Sequence, residues 1–315
     1  MKNSRRNFLQ KSAIAAGSTL LFPNAVGAHN TILKEPFDQK KKRALRIAHI
    51  TDCHVIDNAA CINSMKRVYE QLNAMEDKPE IIINSGDIIM DANYKDLNHA
   101  NKLWDLWFDL SKDNDIPIHY CPGNHDYWWP ESNDKNVLEK AKAENPNYDL
   151  GLYLSRSKTA APYYSFEKKG WKFISLNSMG SWYGLGDVQT NWLISELNTN
   201  TFSCLFSHVP IISVAPLLYS VNRSDPKEIR YPGDQHKDAK ALKDLFYKFN
   251  KVKLCLSGHI HYIDAVEYLG VKYICSGAAS SNWWEGVLDE FPNAYTLIDL
   301  NTDGTTEHKY VFYSE

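Results

Sequence analysis

The sequence predicts an α/β domain in which helices cover a β-sheet, with a second, more antiparallel sheet packed on the first. Three observations carry this reading. Short β-rich runs alternate with longer segments whose apolar residues recur at helical spacing, the order changes to consecutive strands after residue 250, and no internal repeat or low-complexity tract interrupts the pattern. In chain order, residues 45–51, 81–84, 116–120, 171–176, 202–206, 252–256 and 271–275 are short and rich in β-branched or aromatic side chains, as strands are. Between them, residues 61–75, 96–110, 188–197 and 237–249 carry the helical spacing. Residues 262–268, 295–300 and 308–313 then follow as strands without a clear helix among them. The irregular stretches 126–155 and 209–234 are expected to be long polar loops of the kind that carry function.

Ahead of this domain, residues 1–28 read as an address. Arg5 and Arg6 precede a modestly apolar run over 13–22, and Val26-Gly27-Ala28 supplies the small residues a signal peptidase needs. The segment resembles a twin-arginine signal, which implies recognition by the Tat export machinery and a bacterial protein delivered to the periplasm or beyond. Its apolar run is too short and too interrupted to cross a bilayer, so no integral membrane segment is expected in the mature chain. Residues 29–44, with the basic run at 40–43, are expected to be a solvated linker, leaving residues 45–315 as one domain.

A net charge of −3 with both signs interspersed gives no footprint for duplex nucleic acid, which calls for a clustered basic face. The six cysteines lack zinc-like C-x-x-C spacing, and Cys204, Cys255 and Cys275 fall inside strand-like runs, so free thiols are expected.

Function enters through residues that follow the strands. Asp52 and His54 follow the first, Asp87 the second, Asn124, His125 and Asp126 the third, and His208, His259 and His261 two later ones. In an α/β sheet the crevice beyond the carboxyl ends of the strands is where ligands bind, so these side chains can converge despite their separation in sequence. Imidazole and carboxylate together suit first-row divalent metals or iron, and one Asp can bridge two ions. Each fragment alone reads most simply as a turn or a strand exit; it is the ordered set, always at strand ends, that points to a metal centre.

That set, Asp52-x-His54, Gly86-Asp87, Gly123-Asn124-His125-Asp126, His208 and Gly258-His259-x-His261, resembles the full signature of the calcineurin-like metallophosphoesterase superfamily. A further likeness is Gly186-Asp187-Val188-Gln189-x-x-Trp192-Leu193, ahead of the His208 strand. The resemblance implies an αββα four-layer sandwich with two mixed β-sheets. It also implies two divalent or mixed-valence ions (Mn, Fe or Zn), one held by Asp52, His54, Asp87 and His261 and the other by Asp87, Asn124, His208 and His259. The implied activity is hydrolysis of a small-molecule phosphodiester or phosphomonoester by a hydroxide bridging the ions. His125 would face the substrate as the catalytic residue, oriented and kept cationic by Asp126.

The resemblance has informative gaps. Purple acid phosphatases have Gly where His54 stands and a Tyr three residues after the bridging Asp, where this chain has Met90. Class III cyclic-nucleotide phosphodiesterases would have a carboxylate at Met90, and Asp91 comes one residue late. A catalytically inactive, metal-stabilised scaffold of the same fold is the competing reading, disfavoured because no ligand position is lost. Finally, the pairs Trp128-Trp129 and Trp283-Trp284 leave strand ends beside the expected crevice, and Trp129 and Trp284 are expected on its rim, against the organic part of the ester.

Overall fold

A computed structural model describes residues 42–219 and 234–313. The expected signal and most of the linker lie outside the described residues. The first strand, β1 (Arg43–Ile50), begins two residues ahead of the expected domain start. It leads to α1 (Ala59–Ala74), β2 (Ile81–Asn84), α2 (Leu97–Ser111) and β3 (Ile118–Tyr120). Next come α3 (Lys135–Glu144), α4 (Gly151–Ser157), β4 (Tyr164–Lys168), β5 (Trp171–Ser175), α5 (Gly186–Leu197), β6 (Phe202–Phe206) and α6 (Ala215–Tyr219). The chain closes with α7 (Ala239–Lys248), β7 (Val252–Ser257), β8 (Ile263–Tyr268), β9 (Val271–Ser276), β10 (Ala294–Asn301) and β11 (Thr306–Phe312).

These strands make two mixed sheets, ordered β11-β10-β1-β2-β3 and β4-β5-β6-β7-β9-β8. Alternation along β1 shows how the layers form. Leu45 and Ile47 meet Trp171, Phe173, Phe206, Leu254 and Leu256 of the other sheet, while Ala48 and Ile50 on the opposite face meet Met65 and Val68 of α1. On the far side of the second sheet, Ile174 and Leu205 pack on Leu193 of α5 and on Leu242 and Phe246 of α7. The result is the expected helix–sheet–sheet–helix stack.

The late strands do not build a sheet of their own. β10 pairs antiparallel with β1, and β9 pairs parallel with β7, so the first sheet is parallel over β1-β2-β3 and antiparallel over β1-β10-β11, and the second has a parallel centre with antiparallel edges. All eight residues of β10 are buried, which is met only by a strand with neighbours on both edges and layers on both faces. The stretch 126–155 is not a bare loop, since α3 lies within it and α4 begins in it, and the edge strand β4 was not expected. All six cysteines are free and buried. Among the described residues no helix is long and apolar enough to cross a membrane.

Candidate metal centre

The carboxyl ends of β1, β2 and β3 in one sheet and of β6, β7 and β9 in the other open to the same place. Three motif glycines let their loops close on one another. A Cβ on Gly86, which sits at φ +95°, would lie 2.5 Å from the Gly123 nitrogen. One on Gly123 would lie 2.2 Å from the Asp87 carboxylate, and one on Gly258 would lie 1.9 Å from Thr51 Oγ1 and 2.1 Å from Asp52 Oδ2. Backbone bonds stitch the loops: Asp52 N–H donates to Gly86 O, His54 N–H to Asp87 O, Gly258 N–H to His208 O, and Ser280 N–H to Asp52 O.

The expected ligands meet there. Asp52, His54 and His261 form one group that could hold a cation, and Asp87, His208 and His259 form another. Between them, His54 Nε2 lies 3.6 Å and His208 Nε2 3.1 Å from Asp87 Oδ2, so Asp87 stands where the two groups join. Asn124 Oδ1 is 3.0 Å from His208 Nε2. Asp52, His54, Asp87, His259 and His261 all have left-handed backbones, with φ between +40° and +69°. Such conformations cost non-glycine residues about 1–3 kcal/mol each and gather where function over-determines the chain.

Local partners set the imidazoles. His208 Nδ1–H donates to Ser85 O at 2.9 Å and His261 Nδ1–H to Ser281 O at 2.6 Å, which directs each Nε2 into the cluster. Burial pushes His54 and His259 down to about 3, the neutral form that binds metals. For His208, burial opposes the charge, yet Asp87 outweighs it and raises the ring to about 9. A proton on Nε2 there, between Asp87 and Asn124, does electrostatically what a cation would. The donor set fits metal ions in two further ways. Among the described residues His259 Nε2 is buried without a hydrogen-bond partner, and His54 Nε2 and His261 Nε2 face each other at 3.1 Å beside the fully buried Asp52 carboxylate.

His125 is placed differently. Its side chain is 24 % exposed, whereas those of His54 and His208 are fully buried, and its Nε2 stands 3.9 Å from Asp87 Oδ2. It also comes close enough to His54 and Asp87 to form a third candidate group with them. The expected pairing with Asp126 is not made. Asp126 is fully buried and accepts from the Asp87, Ile88 and Gly123 N–H groups, each at 2.9 Å, so both its oxygens are turned to the backbone. Burial and then the Asp87 charge raise it to about 7 against the pull of those donors. The partner of His125 Nδ1 is Asp91. Its left-handed φ of +56° swings the carboxylate back to the ring despite the one-residue offset noted in the sequence. Burial opposes charge on His125, but Asp87 and Asp91 together raise it to about 9.

The rim is also redistributed. Trp284 is an anchor, its Nε1–H donating to the carbonyls of Cys53 and His54 and its ring packing on the α1/α2 core. Trp129 is half-buried against Tyr94 and the Tyr127/Met179/Val209 cluster. The neighbour Trp283 is the one displayed, 40 % exposed and 4.5 Å from the His261 ring centroid. Asp91, Ser85, Ser281, Trp182 and Tyr183 were not foreseen as parts of the site, and of the pair expected at the crevice, 283–284, the ring placed on the rim was Trp284 and not Trp283. The off-by-one carboxylate was the sole sequence signal among them, and a carbonyl partner leaves none.

Comparison with known proteins gives a consistent picture. The family model described as calcineurin-like phosphoesterase matches residues 45–262. A probable cyclic nucleotide phosphodiesterase of Pseudoalteromonas sp. (strain SM9913) is 22 % identical over 281 residues, covering 84 % of this chain and 91 % of that protein. Among solved structures, a dimetal phosphatase from Danio rerio superposes with a TM-score of 0.56 at 13 % identity, covering 87 % of this chain and 100 % of that one. The anchor in the inner membrane complex of Plasmodium superposes with a TM-score of 0.51 at 16 % identity, covering 86 % of this chain and 90 % of that one. Both superpositions are likenesses of fold.

Proposed function

Because the chain belongs to the calcineurin-like phosphoesterase family, we propose that it is a metal-dependent hydrolase of small phosphate esters, working at a two-ion centre. The observation that carries this is the pair of buried ligand groups joined at Asp87, with His125 open to the cleft above them. Asp52, His54, Asp87 and His261 would hold one ion; Asp87, Asn124, His208 and His259 the other. Manganese, iron and zinc all suit such a donor set. Ions so bound lower the pKa of water and polarise phosphoryl oxygens for in-line displacement.

The residues of the chain then do the rest. The Ser85 and Ser281 carbonyls keep the His208 and His261 tautomers correct for ligation. Asn124 supplies a neutral oxygen, which limits the negative charge facing an anionic substrate. Asp91 holds His125 Nδ1, leaving the Nε2 side of the ring to meet the substrate, where an imidazolium N–H protonates the departing alkoxide or steadies charge on phosphorus. No serine or cysteine nucleophile is required, and Cys53 is fully buried. The scaffold alternative finds no lost ligand in this site.

The test is hydrolysis of bis(4-nitrophenyl) phosphate and 4-nitrophenyl phosphate by purified protein, expected to stop with chelator and return with Mn²⁺, Fe²⁺ or Zn²⁺. Failure to cleave either ester after metal loading would overturn the proposal. Export by the Tat route is part of the same proposal, supported by Arg5-Arg6 and the small residues ending at Ala28. Replacing both arginines with lysine should leave the protein in the cytoplasmic fraction; unchanged delivery to the periplasm would refute that part.

A further inference from the structure

The chain has nine tryptophans, and two of them, Trp182 and Trp283, are exposed among the described residues, at 64 % and 40 %. Trp283 borders the ligand cluster directly and Trp182 reaches it through Tyr183, from different loops. Trp283 leaves the end of β9, and its ring centroid lies 4.5 Å from that of His261 and 6.1 Å from that of His54. Trp182 leaves the end of β5 and stacks on Tyr183 at an interplanar angle of 11°, while the Tyr183 ring lies 5.1 Å from His259. One aromatic wall thus stands beside one ligand group and a second beside the other.

Neither wall is a loosely displayed surface ring. Trp182, Tyr183 and Trp283 all have left-handed backbones, at φ +50°, +69° and +49°. The Trp182 loop is pinned through Asn177, whose backbone N–H and carbonyl are both bound by the buried Gln189 amide and whose side chain accepts from Tyr127 Oη. This gives Gln189 a purpose at the site. Trp283 is fixed on one side by Trp284, bonded to the Cys53 and His54 carbonyls, and on the other by Ser281, whose Oγ donates to Phe291 O. Large rings held rigidly in disfavoured conformations beside a polar cluster, and left partly uncovered, are suited to bind a planar group from solution.

We propose that these are two subsites for planar organic groups, one on each side of the phosphorus, and that the substrate class is a phosphodiester carrying an aromatic or heteroaromatic group. This rests on the phosphoesterase reading. A monoester has one organic group and would use one wall; a diester has two groups to place. Stacking on tryptophan tolerates any flat ring, so the walls select for planarity over a particular base.

The test measures binding of methylphosphonate and phenylphosphonate, which cannot be hydrolysed, to the Mn²⁺-loaded full chain by calorimetry. The wild type is expected to bind phenylphosphonate roughly ten-fold or more tightly than methylphosphonate, within the range that aromatic stacking provides. Trp283→Ala combined with Trp182→Ala should bring that ratio to within about two-fold of unity, and the Trp→Phe pair should restore most of it. A wild-type ratio near one, or a ratio that survives the double alanine variant, would overturn the proposal. Equal weakening of both phosphonates with loss of bound metal would also overturn it, showing that the rings only position His259 and His261. If the metal-loaded wild type binds neither phosphonate and cleaves no ester, the phosphoesterase reading itself falls.

Discussion

Replacing Asp126 with asparagine separates two roles that are easily confused in the Gly-Asn-His-Asp segment. Asp126 Oδ2 accepts from the Asp87 and Gly123 N–H groups, and Oδ1 from that of Ile88 and, at 3.5 Å, from that of Ile89. Asparagine has one oxygen, which would keep the first two bonds and turn its amide nitrogen toward the Ile88 N–H. One buried donor is then unsatisfied, at about 1–3 kcal/mol, and above pH 7, where Asp126 is ionised, two charge-assisted bonds become neutral, at roughly 1 kcal/mol each. Relief of repulsion with Asp87 offsets part of this, leaving a net loss of about 2–4 kcal/mol. For a domain of this size that lowers Tm by about 4–8 °C. Because Asp87 N and Gly123 N are held by the same carboxylate, metal affinity should fall with it. Asp91→Asn is the control. Its side chain is 25 % exposed and its partner is His125, so Tm should change by no more than about 1 °C while kcat falls about ten- to a hundred-fold. Thermal melts, metal content and steady-state kinetics on both variants decide it. Unchanged stability and metal content in Asp126→Asn, with a kcat loss matching that of Asp91→Asn, would refute this division of roles.

Other substitutions probe the rest of the site. His125→Ala should retain wild-type metal content and lose kcat far more than KM, whereas Asn124→Ala should lose metal; the reverse pattern would make His125 a ligand, as its approach to His54 and Asp87 allows. Gly258→Ala forces a methyl into Thr51 Oγ1 and Asp52 Oδ2, so a stability loss of about 2–3 kcal/mol in a thermal melt should accompany weakened metal binding. Trp284→Ala removes an anchor with two carbonyl partners and should cost about 2–4 kcal/mol, with equal kinetic losses on aryl and alkyl esters.

Much of this molecule was legible in its sequence because the relevant signals are local. β-Branched runs mark strands, and those at 45–51, 81–84, 202–206 and 252–256 lead into residues that reach the site, so Asp52, His54, Asp87, His208, His259 and His261 could be found without knowing the order of strands. What stayed hidden depends on distant pairing. Nothing near 294–301 states that β10 will lie against β1, and its burial at every position only makes sense once both neighbours are present. Helix α3 is short and polar and buries none of its residues, so Val137, Leu138 and Ala141 give only a weak signal in a stretch read as loop. At the site, adjacency in sequence suggested that Asp126 serves His125. A short 3₁₀ turn over Asn124–Asp126 instead sends the two side chains apart, and a left-handed residue brings in Asp91. The tryptophan pairs show the same limit. Spacing placed both rings of 283–284 at the crevice, but which one anchors and which one is displayed follows from backbone angles that the sequence does not declare.

If two ions share Asp87, counting bound metal in single variants reads out the sharing. Elemental analysis of the metal-loaded wild type should find about two ions per chain. His208→Ala should keep the ion held by Asp52, His54 and His261, and Asp52→Asn the ion held by Asn124, His208 and His259, while Asp87→Asn should deplete both. Wild-type protein that is active with one ion or none, or an Asp87→Asn variant that still holds two, would show that Asp87 does not join two ions.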